Sequence, residues 1–139
     1  MTLLIISIVL LIIAGIGKAV MDTLQFHFST SVFKNLVLNY WWNPSISWRN
    51  KYKNKDPEQG EAFLGSTTVF CFLTDAWHFA QFIYLRSIMA VVVLFCTSDA
   101  LSFIPSVSLW LKYCIAYVAL SVLFNCTFEL FYSQIFKRK

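Results

Sequence analysis

The first 17 residues, MTLLIISIVLLIIAGIG, contain no charged side chain. With residues 18–21 they form an apolar run of about 20 residues, enough for an α-helix to cross about 30 Å of hydrocarbon. A cleaved signal peptide is the alternative, but such a peptide carries basic residues before its apolar run. Here the first charge, Lys18, follows the run. We therefore predict an uncleaved transmembrane helix over residues 1–21.

The composition of the 139-residue chain also indicates a membrane protein. Hydrophobic residues make up 58% of it and charged residues 13%, whereas soluble domains carry about 25% charged residues. A soluble core of this size cannot bury so many apolar side chains, but a lipid-facing surface accommodates them. The net charge of +4 is small and the sequence carries no basic stripe, which excludes a nucleic-acid partner. The expected partner is the lipid bilayer.

Two more apolar stretches predict two more spans, over residues 79–97 and 107–128. Residues 66–78 read as the interfacial start of the second helix, with Gly65, Ser66 and Thr67 as N-cap candidates. A short turn over residues 98–106 then connects two antiparallel helices.

The region between the first two spans has two predicted parts. Residues 22–38 are typical of an amphipathic helix that either lies in the interface or extends span one. Residues 39–65 form a polar loop with turn signals at Asn43-Pro44 and Asp56-Pro57. The predicted fold is a single all-α membrane domain with three transmembrane helices and a polar, aromatic-rich loop.

The basic residues set the predicted orientation. They are concentrated between spans one and two and after span three, and the positive-inside rule places such segments in the cytoplasm. The N-terminus and the short turn then lie outside. The residues concerned are Lys34, Arg49, Lys51, Lys53, Lys55, Lys137, Arg138 and Lys139.

The loop is rich in side chains that favour the headgroup region of a bilayer, where Trp and Tyr concentrate and lysines meet anionic lipid. We expect it to lie against the inner leaflet or to dock a partner, either a larger membrane protein or a second copy of this chain. The interfacial or partner-binding residues are Trp41, Trp42, Trp48, Arg49, Lys51, Tyr52 and Lys53.

Each predicted span carries small or polar residues along one face, a pattern that favours helix–helix contact in membranes. On span one this face holds Ser7, Leu11, Ala14 and Lys18. If the three helices alternate in direction, the polar residues of all three approach the cytoplasmic interface. Charged groups at membrane depth are usually paired and often functional. The predicted polar cluster comprises Lys18, Asp22, Gln25, Asp75, His78, Arg86, Asn125 and Glu129.

Three interpretations of this cluster stay open. The simplest is a small accessory, assembly or lipid-interacting subunit, in which the polar faces join helices. In the second, Asp75 and His78 hold a divalent metal with Asp22 or Glu129, and bound water attacks a lipid headgroup or phosphate. In the third, Asp75, His78 and Glu129 relay protons or ions in an oligomer. Asp75, His78 and Glu129 are therefore the catalytic candidates, and no cofactor other than a divalent metal is expected.

Three segments carry a resemblance to known sequences: GKAVMDTLQFHF, WWNPSISWRNKYKNKDPEQG and GSTTVFCFLTDAWHFAQF. Together, over roughly residues 17–82, the chain resembles small uncharacterised membrane proteins of bacteria, of the kind met in Bacteroidota. That resemblance implies a bacterial inner membrane. It implies no activity and no catalytic residue.

Overall fold

The computed structural model describes residues 2–97 and 108–136. Within them the chain is all-α, without a strand, and includes three helices that are long and apolar enough to span a bilayer. This confirms the predicted fold class. We call them α1 (Thr2–His27), α2 (Ala76–Thr97) and α3 (Leu109–Glu129), the last continuing as a π-helix over Leu130–Phe136. Residue 1, the predicted turn over 98–106, residue 107 and the basic residues 137–139 lie outside the described residues.

Helix α1 packs against both other helices through two glycines. A Cβ on Gly17 would lie 3.1 Å from the carbonyl oxygen of Ala80 in α2, and a Cβ on Gly15 would lie 3.0 Å from the Thr127 side chain in α3. Residues two apart in a helix point in nearly opposite directions. Helix α1 therefore lies between α2 and α3, and its glycines allow the backbones to approach closely.

The outward surfaces of the three helices are apolar. Ile5 on α1, Val92 on α2 and Tyr117 on α3 are 56%, 55% and 74% exposed. In water such a surface would drive aggregation, whereas acyl chains solvate it. The chain is a membrane protein in which the lipid-facing side chains of three helices surround a small contact between them.

Residues 28–75, which we call the cap, fold against one end of this bundle. Phe33 fixes the cap to the helices, since its ring stacks on Trp42 at 5.1 Å between ring centroids and meets Phe136 at 4.9 Å. Trp41 packs against Phe79 of α2 at 6.4 Å. The end of α1, the start of α2 and the far end of α3 therefore meet at the cap.

The second long helix begins at Ala76, ten residues later than the predicted interfacial start at residue 66. The reason is local hydrogen bonding, because the predicted N-cap residues are engaged in the cap instead. Ser66 donates its hydroxyl hydrogen to the Lys51 carbonyl oxygen (2.7 Å), and Gly65 N–H and the Thr67 hydroxyl donate to the Glu61 carboxylate. Residues 66–75 are turns and one 3₁₀ segment, Cys71–Leu73.

Residues 22–38 are also not one continuous amphipathic helix. Helix α1 ends at His27, and two 3₁₀ turns follow, Phe28–Thr30 and Val32–Asn35. Ser31 separates them in an extended conformation, and its hydroxyl donates to the Phe28 carbonyl oxygen at 2.9 Å. Such bonds from serine to the preceding backbone compete with helix continuation.

The rest of the cap is a series of short helical turns. An Asx-type hydrogen bond begins two of them: Asn43 Oδ1 accepts from Ser45 N–H, and Asp56 Oδ1 accepts from Glu58 N–H. Both lie at the turn signals predicted from the sequence. The segments are Asn39–Trp42, Pro44–Ser47, Trp48–Lys51, Lys53–Lys55 and Pro57–Gln59.

Candidate functional site

Asp75 is the N-cap of α2. Its Oδ1 accepts a hydrogen bond from the backbone N–H of His78 at 2.9 Å, the usual bond from an N-cap side chain to the third helical residue. Its Oδ2 lies 2.6 Å from Nδ1 of the same histidine. One carboxylate therefore ends the cap, starts the helix and orients an imidazole.

The acid is buried while the imidazole reaches the surface of a cavity. The Asp75 side chain is 2% exposed and the His78 side chain 25% exposed. Burial raises the pKa of Asp75, but hydrogen bonds from the side chain and backbone of His78 outweigh it and hold the pKa below its ordinary value. Because Nδ1 carries the proton shared with the carboxylate, Nε2 is the nitrogen left for other partners.

A cavity of about 290 Å³ lies beside this pair, which we call the His78 cavity. Parts of α1, α2 and the cap line it. Ser47, at the end of the turn Pro44–Ser47, is 3% exposed. The lining residues are Gln25, Pro44, Ser47, Trp48, Asp75, Trp77 and His78.

The remaining members of the predicted polar cluster lie elsewhere. Lys18 pairs with Asp22 on α1, with its ammonium 5.9 Å from the ring centroid of Phe128. Glu129 accepts a hydrogen bond from Ser133 one turn later. Arg86 lies over the Phe82 ring at 5.3 Å, and Asn125 lines a separate cavity of about 370 Å³.

Of the eight predicted residues, Gln25, Asp75 and His78 come together at one cavity. Asp22 and Glu129 do not join them as metal ligands: in residues 2–97 and 108–136, no three His, Cys, Asp or Glu side chains are placed to hold one ion. The predicted metal site, Asp75 and His78 completed by Asp22 or Glu129, is therefore not assembled among the described residues. The relay stays a prediction.

A second cavity, of about 560 Å³, lies within the cap and mixes polar and aromatic walls. Asn50 fixes its shape, because the Nδ2 atom donates to the carbonyl oxygens of Tyr40 (2.7 Å) and Thr74 (2.9 Å). The Lys55 ammonium lies 5.3 Å from the Tyr40 ring centroid. We call this the cap cavity; its lining residues are Tyr40, Trp41, Asn50, Tyr52, Asn54, Lys55, Phe63, Leu73 and Thr74.

An apolar groove of about 290 Å³ continues from the cap along α1 and α2. Trp41 lines both this groove and the cap cavity, so the two spaces are neighbours across one indole ring. Gly17 and Ala80, where the two helices touch, lie in its wall. The groove residues are Ile13, Ile16, Gly17, Val20, Trp41, Trp42, Ala76, Phe79, Ala80 and Ile83.

The residues predicted to be interfacial divide among these spaces. Trp41 and Tyr52 line the cap cavity, Trp42 the groove, and Trp48 the His78 cavity. The other three surround them: the Arg49 guanidinium lies 5.3 Å from the Trp48 ring, the Lys51 ammonium lies 5.5 Å from the Tyr52 ring, and Lys53 is exposed.

Sequence reasoning did not single out Ser47, Asn50, Lys55 or Thr74 as lining residues. Asn50 and Thr74 are brought together by a hydrogen bond across 24 residues, and Ser47 and Lys55 reach their cavities through the folding of the cap, so no local sequence pattern indicates these positions. Comparison with known proteins finds no matching family model, no matching curated protein and no matching solved structure. The site is therefore interpreted from its own geometry.

Proposed function

We propose that this chain is a lipid-binding protein of the membrane, holding a phosphate-bearing headgroup in the cap cavity and an acyl chain in the groove. The observation that carries the proposal is the shared wall formed by Trp41. A lipid has a polar and an apolar part joined at the interface, and an indole ring favours that depth. The two spaces match this division.

Charge favours an anionic headgroup. Lys55 is the ionised side chain among the residues that line the cap cavity, and Tyr40, Tyr52 and Asn54 bring hydrogen-bonding groups to the same walls. An ammonium group is a usual phosphate ligand, and lysines near the membrane surface attract anionic lipids. A lipid phosphate in the cap cavity would therefore contact the Lys55 ammonium and be attracted by the neighbouring lysines.

We also propose on which side of the membrane the cap lies. The basic residues of the cap favour the cytoplasmic side of a bacterial inner membrane, with the N-terminus outside. Binding one lipid at this face suits an accessory or assembly subunit, whose larger partner or second copy would contact the exposed helices. Association of either kind stays a prediction.

The test is to measure lipid carried by the purified protein. We expect native mass spectrometry after mild detergent extraction to detect about one bound phospholipid per chain, with phosphatidylglycerol preferred over phosphatidylcholine on re-addition. Lys55→Gln should weaken the preference, and Ile16→Trp, which fills the groove, should weaken binding of both lipids.

Two matched variants control for general effects. Lys53→Gln removes an exposed lysine from the same turn as Lys55 without touching the cavity, and Val9→Trp adds an indole to the exposed face of α1. Both should bind lipid as the original chain does. Equal lipid retention by Lys55→Gln, Ile16→Trp and their controls would overturn the proposal.

A further inference from the structure

We propose that Ser47, His78 and Asp75 form a hydrolytic site for carboxylic esters. The site lies in the His78 cavity, whereas the lipid proposal rests on the cap cavity and groove. Either proposal can therefore fail alone.

Asp75 orients the imidazole of His78. Asp75 Oδ2 lies 2.6 Å from His78 Nδ1, and the same carboxylate holds the His78 backbone N–H at 2.9 Å. A buried carboxylate that fixes the histidine tautomer in this way leaves Nε2 as a proton acceptor, as a general base requires. Asp75 is a positioning residue here.

The hydroxyl of Ser47 belongs to the same cavity. Ser47 is 3% exposed and lines the His78 cavity together with the imidazole. Within the described residues its Oγ makes no hydrogen bond, and the atom is accessible rather than fully enclosed, so it is available to a partner in the cavity. Nucleophile and base contacts are often long before substrate binds and tighten afterwards.

The N-terminus of α2 sets the electrostatic environment of the His78 cavity. The cavity lies at the first turn of α2, a 22-residue helix whose N-terminus carries partial positive charge. Asp75 Oδ1 accepts a hydrogen bond from the backbone N–H of His78. The backbone N–H groups of Ala76 and Trp77 belong to the same first turn of α2 and add to its partial positive charge. Positive charge of this kind stabilises an oxyanion as it forms.

The reaction proceeds through an acyl intermediate on Ser47. Ser47 Oγ attacks the ester carbonyl carbon while its proton passes to His78 Nε2. The carbon–oxygen bond to the alcohol breaks, His78 gives its proton to the leaving oxygen, and the acyl group stays on Ser47. Water attacks this acyl group with His78 again as base, and release of the carboxylic acid restores the serine hydroxyl.

The primary test uses an alkyl fluorophosphonate, which reacts covalently with activated serines. We expect a single adduct on Ser47 in detergent-purified full-length protein, located by peptide mass spectrometry and absent from Ser47→Ala. Ser45→Ala is the matched control, because Ser45 is an exposed serine in the same helical turn. No adduct on Ser47 of the original chain would sink the proposal.

His78→Ala and Asp75→Asn separate catalysis from folding. Asp75→Asn keeps an oxygen for the N-cap but loses control of the imidazole tautomer, so labelling should slow about 100-fold or more while the thermal midpoint changes little. Labelling of Ser47 at the original rate in both variants would contradict the assigned roles. Lys53→Gln, which changes an exposed lysine that lines neither the His78 cavity nor the cap cavity, should leave labelling unchanged.

Two ester substrates identify the source of the acyl group. A short-chain p-nitrophenyl ester tests soluble esters, and phosphatidylglycerol vesicles containing a fluorogenic phospholipid ester test membrane lipids. Turnover of at least one, lost in Ser47→Ala and kept in Ser45→Ala, is the expected result and shows which source the site accepts. Turnover of neither by the original chain overturns the assigned substrate class.

Discussion

Asp75 joins two regions of the chain through one carboxylate. It accepts the hydrogen bond that starts α2 and holds the imidazole of the residue three positions later. The sequence led us to predict that Asp75 and His78, three residues apart, act together as ligands of one metal ion. It did not predict that the helix starts between them, since the same spacing suits a helix interior and an N-cap.

At this scale we predict that Asp75→Ala destabilises the fold by about 1–2 kcal/mol, the usual cost of losing an N-cap, and that Asp75→Asn costs less. The reason is that asparagine still accepts from the His78 N–H. The free energy of unfolding in detergent, followed by circular dichroism, measures both. Equal losses for the two variants would show that the cap bond contributes little.

The charge of Asp75 adds a pH dependence. Its pKa is lowered in the folded chain, so its carboxylate stabilises the fold above about pH 4, where an unfolded Asp is ionised. That contribution is lost as the pH falls through the folded pKa. We therefore expect the stability difference between the original chain and Asp75→Asn to be constant near pH 7 and to shrink below pH 4. The pKa of Glu61 is also lowered, by the Thr67 hydroxyl. Because Glu61 is present in both proteins, its effect cancels when their stabilities are subtracted.

At the scale of helices, α1 is the common partner of α2 and α3. The predicted small face of span one does include residues that are buried, Ser7, Leu11 and Ala14. The predicted face did not include Gly17, which lies on the side of α1 that contacts α2. A prediction of one small face per helix allows for only one neighbouring helix. Periodicity shows which residues are small, but not how many helices they must accommodate.

We predict that Gly17→Val destabilises the bundle by about 1–3 kcal/mol, a typical cost of overpacking. A Cβ alone would lie 3.1 Å from the Ala80 carbonyl oxygen, and backbone cannot yield as a flexible side chain does. Val9→Leu, on the exposed face of α1, should be nearly neutral. Thermal unfolding in detergent compares them, and equal midpoints would refute the close contact.

At the scale of the molecule, the cap lies where α1 ends and α2 begins, beside the far end of α3. Three membrane-length helices were predictable from composition and length alone. The interior of the cap was not, because it depends on bonds between distant residues: Asn50 to the Thr74 carbonyl, and Ser66 to the Lys51 carbonyl. Residues 39–65 alone give only turn signals.

The proposed orientation in the membrane gives a prediction at this scale. In a cysteine-free background, Asn54→Cys in the cap should be protected from a membrane-impermeant maleimide in intact spheroplasts and should react once they are opened. Thr2→Cys, at the start of α1, should react in both. Labelling of Asn54→Cys but not of Thr2→Cys in intact spheroplasts would show the reverse orientation. Labelling of both variants in intact spheroplasts would contradict a membrane-spanning α1.

The position of α1 has a consequence for biosynthesis. Of the three long helices, α1 leaves the ribosome before α2 and α3, and both of these pack on it, through Gly17 and then Gly15. It therefore enters the bilayer before either partner exists, and its apolar length must hold it there alone until they arrive. Any protease that removed this helix during maturation would take away the surface that α2 and α3 share.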